Sequence, residues 1–237
     1  MVESTHPDND ALPVGERVGR VGAADSPRRG PLAGRHVTLR PLVPDADAPE
    51  LYARSHGSPR GVDLWTYMAY GPFPDPGAML EWMRRCAESE DPLFLCVEEA
   101  GRRLGIVAFM NIRPDMRVLE LGNIWYAPEA QRTQVNTEAV YLMLREAFDV
   151  LGHRRVEWKC DALNERSRRA ALRLGFRFEG VFRQHMIVKE RNRDTAWYAL
   201  LDADWPRVRS NLERFLAAPP GTLSLAALNG VPEVPTE

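Results

Sequence analysis

What this chain lacks narrows the possibilities first. It has three cysteines in 237 residues, Cys86, Cys96 and Cys160. Their odd number and wide spacing fit neither a disulfide framework nor a zinc site, so buried thiols in a reducing cytoplasm are expected. No apolar run approaches the ~20 residues that span a bilayer, so no membrane partner is expected. The opening stretch, MVESTHPDNDALPVGER, has no charged-then-apolar order of a secretory signal. The net charge is only −2, too weak a field to draw the whole chain onto nucleic acid. No internal repeat is present. Glycine is missing from the whole interval between Ala127 and Gly152, where a strand-like run gives way to a helical one.

What is present is ordinary for a globular protein: 44% hydrophobic and 27% charged residues. Residues 1–33 are rich in Gly, Pro, Asp and Arg and read as a mobile N-terminal arm. Residues 218–237 carry Pro219, Pro220, Gly221, Pro232 and Pro235 and read as an irregular tail. One domain is expected over 34–217. Strands are predicted at 36–42, 93–98, 104–111, 118–126, 155–160, 176–181 with 186–189, and 195–201. The sequence ERNRD is expected to turn the chain before the last strand. Helices are predicted at 45–56, capped by Asp45 or Asp47, and at 76–88, 139–151, 167–174 and 204–217. The order predicts an α/β (α+β) fold: a mixed, mostly antiparallel sheet of six to seven strands flanked by helices.

The glycine-free interval opens with PEAQRTQVNTEA, residues 128–139. It joins a strand end to a helix start, where free N–H groups and the helix dipole favour an anion such as a pyrophosphate. Gln131 and Arg132 add donors. Thr133 and Asn136 either touch phosphate oxygens or simply cap the helix. A second stretch, NERSRRAALRLGF at 164–176, places Asn164 and Ser167 three residues apart at another helix start. Their amide and hydroxyl share one side of it, and capping is again the alternative.

Together the two stretches resemble the GNAT superfamily of acetyl-CoA-dependent N-acetyltransferases, and within it the ribosomal-protein N-terminal acetyltransferases. The family's loop, Arg/Gln-x-x-Gly-x-Gly/Ala, is matched by Gln131 to Asn136, with Gln134 and Asn136 standing at its small-residue positions. Its second motif is matched by Asn164, Ser167, Leu172, Gly175 and Phe176. VTLRPL, GPF, ELGNIWYAPE and RDTAWYALL follow in the family's order, from about 35 to 216.

The resemblance implies acetyl transfer from acetyl-CoA to a primary amine, with no metal. It implies cofactor contacts from Ile124, Gln131, Arg132, Thr133, Gln134, Val135, Asn136, Thr137, Asn164 and Ser167. Ser167 would give a proton to the departing thiolate. Gly122 suits a strand bulge, so a main-chain N–H of Asn123 or Ile124 would meet the oxyanion. Glu120 and His185 are the candidate bases. Trp65, Tyr67, Tyr70 and Phe73 form an aromatic loop on the acceptor side, beside Asn123. Two other readings remain open. One is a degenerate member that binds coenzyme A or a protein without turnover. The other is a nucleic-acid or ribosome binder using Arg154, Arg155, Arg166, Arg168, Arg169 and Arg173, some of which would otherwise meet the 3′-phosphate of coenzyme A. The helix at 204–217 packs on its own domain or on a second copy in a homodimer.

Overall fold

A computed structural model describes residues 12–19 and 22–231. Its centre is an eight-stranded sheet in the order β1-β2-β3-β4-β5-β6-β8-β7. Strands β1 (Leu32–Ala33), β2 (Val37–Pro41), β3 (Leu93–Glu99), β4 (Arg102–Arg113) and β5 (Val118–Tyr126) pair antiparallel in sequence. Ala100 and Gly101, both at positive φ, make the tight β3–β4 turn. β5 pairs parallel with β6 (Arg155–Asp161), which β8 (Arg191–Leu201) and β7 (Arg177–Val188) follow antiparallel.

The sheet exceeds the six to seven strands expected from the sequence. β1 is a two-residue strand, too short to carry a periodic signal. The stretches 176–181 and 186–189 are one bulged strand, β7. The hairpin turns at Lys189 and Glu190, both at positive φ, so most of ERNRD lies within β8 rather than in a turn.

One face of the sheet carries α4 (Gln134–Arg145), α5 (Glu165–Arg173) and α6 (Trp205–Ala217). α4 continues through a wider turn at Glu146–Val150 to Gly152, whose φ of 76° ends it. Val135, Ala139, Leu142, Met143 and Phe148 fill this core from α4 and its extension. α6 buries Trp205, Val208 and Leu212 in its own domain. The other face carries α1 (Pro44–His56) and α3 (Pro76–Glu88), with the short α2 (Pro59–Val62) between them. Asp75 caps α3 by accepting the Ala78 N–H at 2.8 Å, and Met79, Met83 and Cys86 face inward at helical spacing. α1 starts after Val43 without a side-chain cap; Asp47 instead lies fully buried, accepting from Arg40 and from Val43 N–H.

The expected arm and tail are partly docked. Residues 1–11, 20 and 21 of the arm and 232–237 of the tail lie outside the described residues. Ala24 N–H donates to Pro114 O and Asp25 N–H to Leu151 O, both at 3.0 Å. Arg29 donates to Ala87 O and Ser89 O. A short helix α7 (Leu225–Leu228) buries Leu225, and Asn211 donates to Leu228 O at 2.8 Å. These segments have no periodicity of their own, so their docking was invisible to pattern reading.

Candidate active site

β5 and β6 pair only at Val118↔Arg155, Leu119↔Val156 and Glu120↔Glu157. Beyond that rung the strands part, so Leu121 to Tyr126 have no register partner on β6. On the β4 side, Ala108 pairs with Gly122 and Ile106 with Trp125, which leaves Asn123 and Ile124 as a bulge opposite Val107. The left-handed residue of the bulge is Asn123 (φ 51°), not Gly122. At Gly122 a Cβ would lie 2.3 Å from Met110 Sδ, so a larger residue there would push the Met110 side chain aside. Asn123 and Ile124 therefore have no register partner on either β4 or β6, which is where a main-chain oxyanion donor would be sought. Ile124 itself packs partly against the α4–α5 core, and the Asn123 amide reaches Met110 Sδ at 3.5 Å.

Beside the bulge, Pro128–Ala130 forms one 3-10 turn and α4 begins at Gln134. Thr133 is the helix cap: its hydroxyl donates to Ala130 O at 2.7 Å and accepts from Val135 N–H at 3.2 Å. The loop's positive φ, 61°, falls at Arg132, which is exposed. Gln134 has an ordinary φ and needs no glycine, which explains how the loop forms without one. Gln131 folds back to donate to Tyr126 O at 3.2 Å. The Val135 and Thr137 side chains are buried, so only their main chain faces the helix mouth. The Asn136 amide oxygen is enclosed without a partner among the described residues. That oxygen is an acceptor, so the capacity for an anion such as a pyrophosphate at this helix start lies in its free main-chain N–H groups.

Asn164 is the cap of α5, its Oδ1 accepting from Ser167 N–H at 3.1 Å. The Ser167 hydroxyl oxygen accepts from Trp158 Nε1–H at 3.0 Å. That bond fixes the oxygen, and the hydroxyl also lies within hydrogen-bonding reach of the Cys160 thiol.

Glu120 does not lie in an apolar cleft. It is buried, and its Oε2 accepts from Asn111 Nδ2 at 2.6 Å and Lys159 Nζ at 2.9 Å. Lys159 Nζ is also 2.9 Å from Glu157 Oε2 and 4.0 Å from the Trp197 ring centre. One ammonium thus clamps two carboxylates at the last paired rung of β5 and β6. Burial alone would raise the Glu157 carboxyl, but Lys159 and Arg155 hold it below the usual carboxylate range. His185 lies exposed at the β7 bulge, its Nδ1 3.0 Å from Thr195 Oγ1 and its ring 5.9 Å from Trp197. Trp197 links it to the Lys159 clamp on the same sheet face.

The aromatic loop divides in role. Trp65 is fully buried, with Trp125, His56 and Phe73 at 5.1, 5.3 and 5.4 Å, so it builds the loop's core rather than facing an acceptor. The Tyr70 ring packs 4.5 Å from Trp82, and its hydroxyl is enclosed with no partner among the described residues. Phe73 N–H donates to His56 Nε2 at 2.9 Å. Tyr67 reaches outward: its hydroxyl donates to Leu163 O at 3.2 Å, on the β6–α5 loop. Lys189 Nζ, at the β7–β8 turn, donates to Trp65 O at 2.7 Å. The aromatic loop is thereby tied to the β6–α5 loop and to the β7–β8 turn.

Sequence reading missed Lys159, Asn111, Trp158 and His56. A signal for the first existed: Arg155, Glu157, Lys159 and Asp161 alternate along β6 with apolar Val156, Trp158 and Cys160. The proposed basic face is largely used internally: Arg155 pairs with Glu179 at 2.5 Å and Arg169 with Glu165 at 2.7 Å. The three cysteines are free and buried, and burial pushes the Cys86 and Cys96 thiols up to about 12. None is an activated nucleophile. No group of metal-ligating side chains occurs among the described residues, and no described helix is long and apolar enough to cross a membrane.

Comparison with known proteins agrees with this architecture. Residues 36–177, more than half of the chain, match the acetyltransferase (GNAT) domain. A crystal structure of a GCN5-related N-acetyltransferase from Brucella melitensis is 37% identical with a TM-score of 0.85, over 90% of this chain and 100% of that one. The "Putative ribosomal N-acetyltransferase YdaF" of Bacillus subtilis (strain 168) is 26% identical over 174 residues, 72% of this chain and 93% of that protein. Microcin C7 self immunity acetyltransferase MccE, solved with acetyl-CoA and AMP, shares the fold at 23% identity and a TM-score of 0.64, over 71% of this chain and 93% of that one. The chain belongs to the GNAT acetyltransferase family and is an acyltransferase.

Proposed function

We propose that the chain moves an acetyl group from acetyl-CoA to a primary amine by direct attack with both substrates bound. The observation that supports this best is the parting of β5 and β6 after Glu120↔Glu157, with the Asn123–Ile124 bulge and the α4 start at its mouth. The first turn of α4, with Arg132, Gln134 and Asn136, would hold the pyrophosphate. Asn164 and Ile124 would flank the pantetheine. Ile124 or Asn123 N–H would receive the developing oxyanion. The amine nitrogen bonds to the carbonyl carbon as the carbon–sulfur bond breaks. Glu120 takes the amine proton directly or through water, with His185 as the alternative base. Ser167 gives its hydroxyl proton to the leaving sulfur.

The acceptor is a small-molecule amine or a protein N-terminus. The name of the B. subtilis relative supports a ribosomal N-terminus. Tyr67, with Phe73 and Tyr70 behind it, would form the acceptor wall. Acetyl-CoA chemistry and three free thiols support a cytoplasmic location. Thermal unfolding with and without acetyl-CoA tests the reading. At ~100 times Kd, binding adds ~2.7 kcal/mol, a rise of roughly 5–11 °C for a domain of this size. No rise at millimolar acetyl-CoA overturns it; a rise without turnover over an amine panel means a binder that has lost catalysis.

A further inference from the structure

Glu157 and Lys159 alternate onto one face of β6, with Glu120 opposite Glu157 on β5 and Trp197 opposite Lys159 on β8. Lys159 Nζ lies 2.9 Å from both Glu120 Oε2 and Glu157 Oε2, and 4.0 Å from the centre of the Trp197 ring. The lysine side chain is 12% exposed and each carboxylate side chain 6%, so water and salt screen these charges little.

The two oxygens of Glu120 are not equivalent. Oε2 accepts from Asn111 Nδ2 at 2.6 Å, on β4, and from Lys159 Nζ at 2.9 Å, on β6. Neither bond goes to Oε1. That oxygen lies beside Gly122, where an added Cβ would be 3.5 Å from it, at the start of the Asn123–Ile124 bulge. Donors from the strands on either side thus hold the carboxylate by one oxygen and leave the other for a further donor.

An amine that adds to a thioester carbonyl becomes a strongly acidic ammonium once the carbon–nitrogen bond forms. Its proton then needs a base that is ionised and aimed more than one that is strong. An ammonium at hydrogen-bond distance favours a carboxylate over a carboxylic acid. Glu157 takes up part of the same positive charge, and is itself 2.9 Å from Arg155 Nε and 3.5 Å from Arg113 Nη2. Lys159 therefore does not stand as an uncompensated cation before an incoming amine.

We propose that Lys159 is a positioning residue for acetyl transfer: shared between Glu120 and Glu157, it anchors Glu120 by Oε2 so that Oε1 meets the acceptor amine at the bulge. This rests on the reading of Glu120 as the base. The groups facing Glu120 are Asn111 from β4 and Lys159 from β6, with Glu157 across the same ammonium. Arg113 and Arg155, the latter paired with Glu179, stand behind Glu157, and Trp197 of β8 closes over the ammonium.

The test follows kcat against pH at saturating acetyl-CoA and amine, with acetyl-CoA affinity, for wild type, Lys159→Met, Lys159→Arg, Glu157→Gln and Glu120→Gln. Lys159→Met is expected to lower kcat roughly 10- to 100-fold, the cost of a misplaced group. It is also expected to move the acid limb of the profile up by about one unit or more, with acetyl-CoA affinity unchanged. Lys159→Arg keeps the charge and is expected to hold the limb near that of wild type and recover part of kcat. Glu157→Gln leaves the ammonium to Glu120 alone and is expected to move the limb down, which tests the proposal even where Lys159→Met does not fold. An unmoved limb in Lys159→Met or in Glu157→Gln, or equal losses in Lys159→Met and Lys159→Arg, overturns the proposal. If kcat still collapses in Glu120→Gln, only the role of Lys159 has then failed and Glu120 stays the base. Wild-type turnover in Glu120→Gln overturns the base reading and the proposal with it. Wild type that binds acetyl-CoA and acetylates no amine of a panel overturns both as well.

Discussion

Ser167→Ala separates a catalytic hydroxyl from a structural one. In the structure the Ser167 oxygen accepts one hydrogen bond, from Trp158 Nε1–H at 3.0 Å. Loss of a neutral bond of this kind costs about 1 kcal/mol, or roughly 2–4 °C in Tm for a domain of this size. A positioned proton donor is worth far more: about 10²–10⁴ in rate, or roughly 3–5 kcal/mol of barrier. The two effects differ enough to be told apart. The assay compares kcat at saturating acetyl-CoA and amine, Kd for acetyl-CoA, and Tm. Ser167→Ala is expected to lower kcat at least 100-fold with Kd nearly unchanged and a Tm loss of a few degrees. Trp158→Phe releases the serine without removing it, so a smaller fall in kcat is expected. If Ser167→Ala turns over within about twofold of wild type, the serine is a structural partner of Trp158 and the acid role is refuted.

Gln134→Gly is expected to leave acetyl-CoA binding equal or weaker, because position 134 already has an ordinary φ and glycine costs a helix about 0.5–1 kcal/mol; tighter binding by titration would show that the glutamine side chain obstructs the loop. Glu138 accepts main-chain N–H groups of Arg35, His36 and Val37, joining α4 to the β1–β2 turn. Glu138→Ala strands those donors and is expected to cost about 3 kcal/mol, roughly 6–12 °C in Tm, with Glu138→Gln milder; equal melting of wild type and Glu138→Ala would contradict the contact. Burial holds His56 below its ordinary value despite an opposing hydrogen bond to the main chain of Tyr52. Its neutral Nε2 accepts from Phe73 N–H, so its contribution to stability is complete above about pH 6.5 and lost as pH falls from there through the folded value. Chemical denaturation at several pH values should show that slope in wild type and lose it in His56→Gln.

Much of the frame was readable from the chain. The β3–β4–β5 meander and the helices α3 to α6 follow from apolar period, caps and glycine stops, which are local signals. Gly152 and Gly175 sit at positive φ where the helices end, as their positions suggested. The bulge near Gly122 was anticipated, but its left-handed residue is Asn123, while Gly122 lies against the Met110 side chain. The aromatic loop illustrates the limit of such reading. Trp65, Tyr67, Tyr70 and Phe73 are alike in composition, yet Trp65 is sealed under α1 and β5 while Tyr67 reaches the β6–α5 loop.

The sequence by itself determined the longer strands and helices, most of their ends, and which two helix starts carry polar side chains. Those properties depend on neighbours a few residues apart. Only the tertiary structure decided that β5 and β6 part after the Glu120↔Glu157 rung, that Lys159 joins Glu120 to Glu157 across that rung, and that Arg173 meets Thr137 from another helix. Each joins positions dozens of residues apart in the chain, and no local pattern specifies which distant charge or hydroxyl a side chain will meet. That choice is made when the two cores close on either face of the sheet, and with it the polar groups that are left for a ligand.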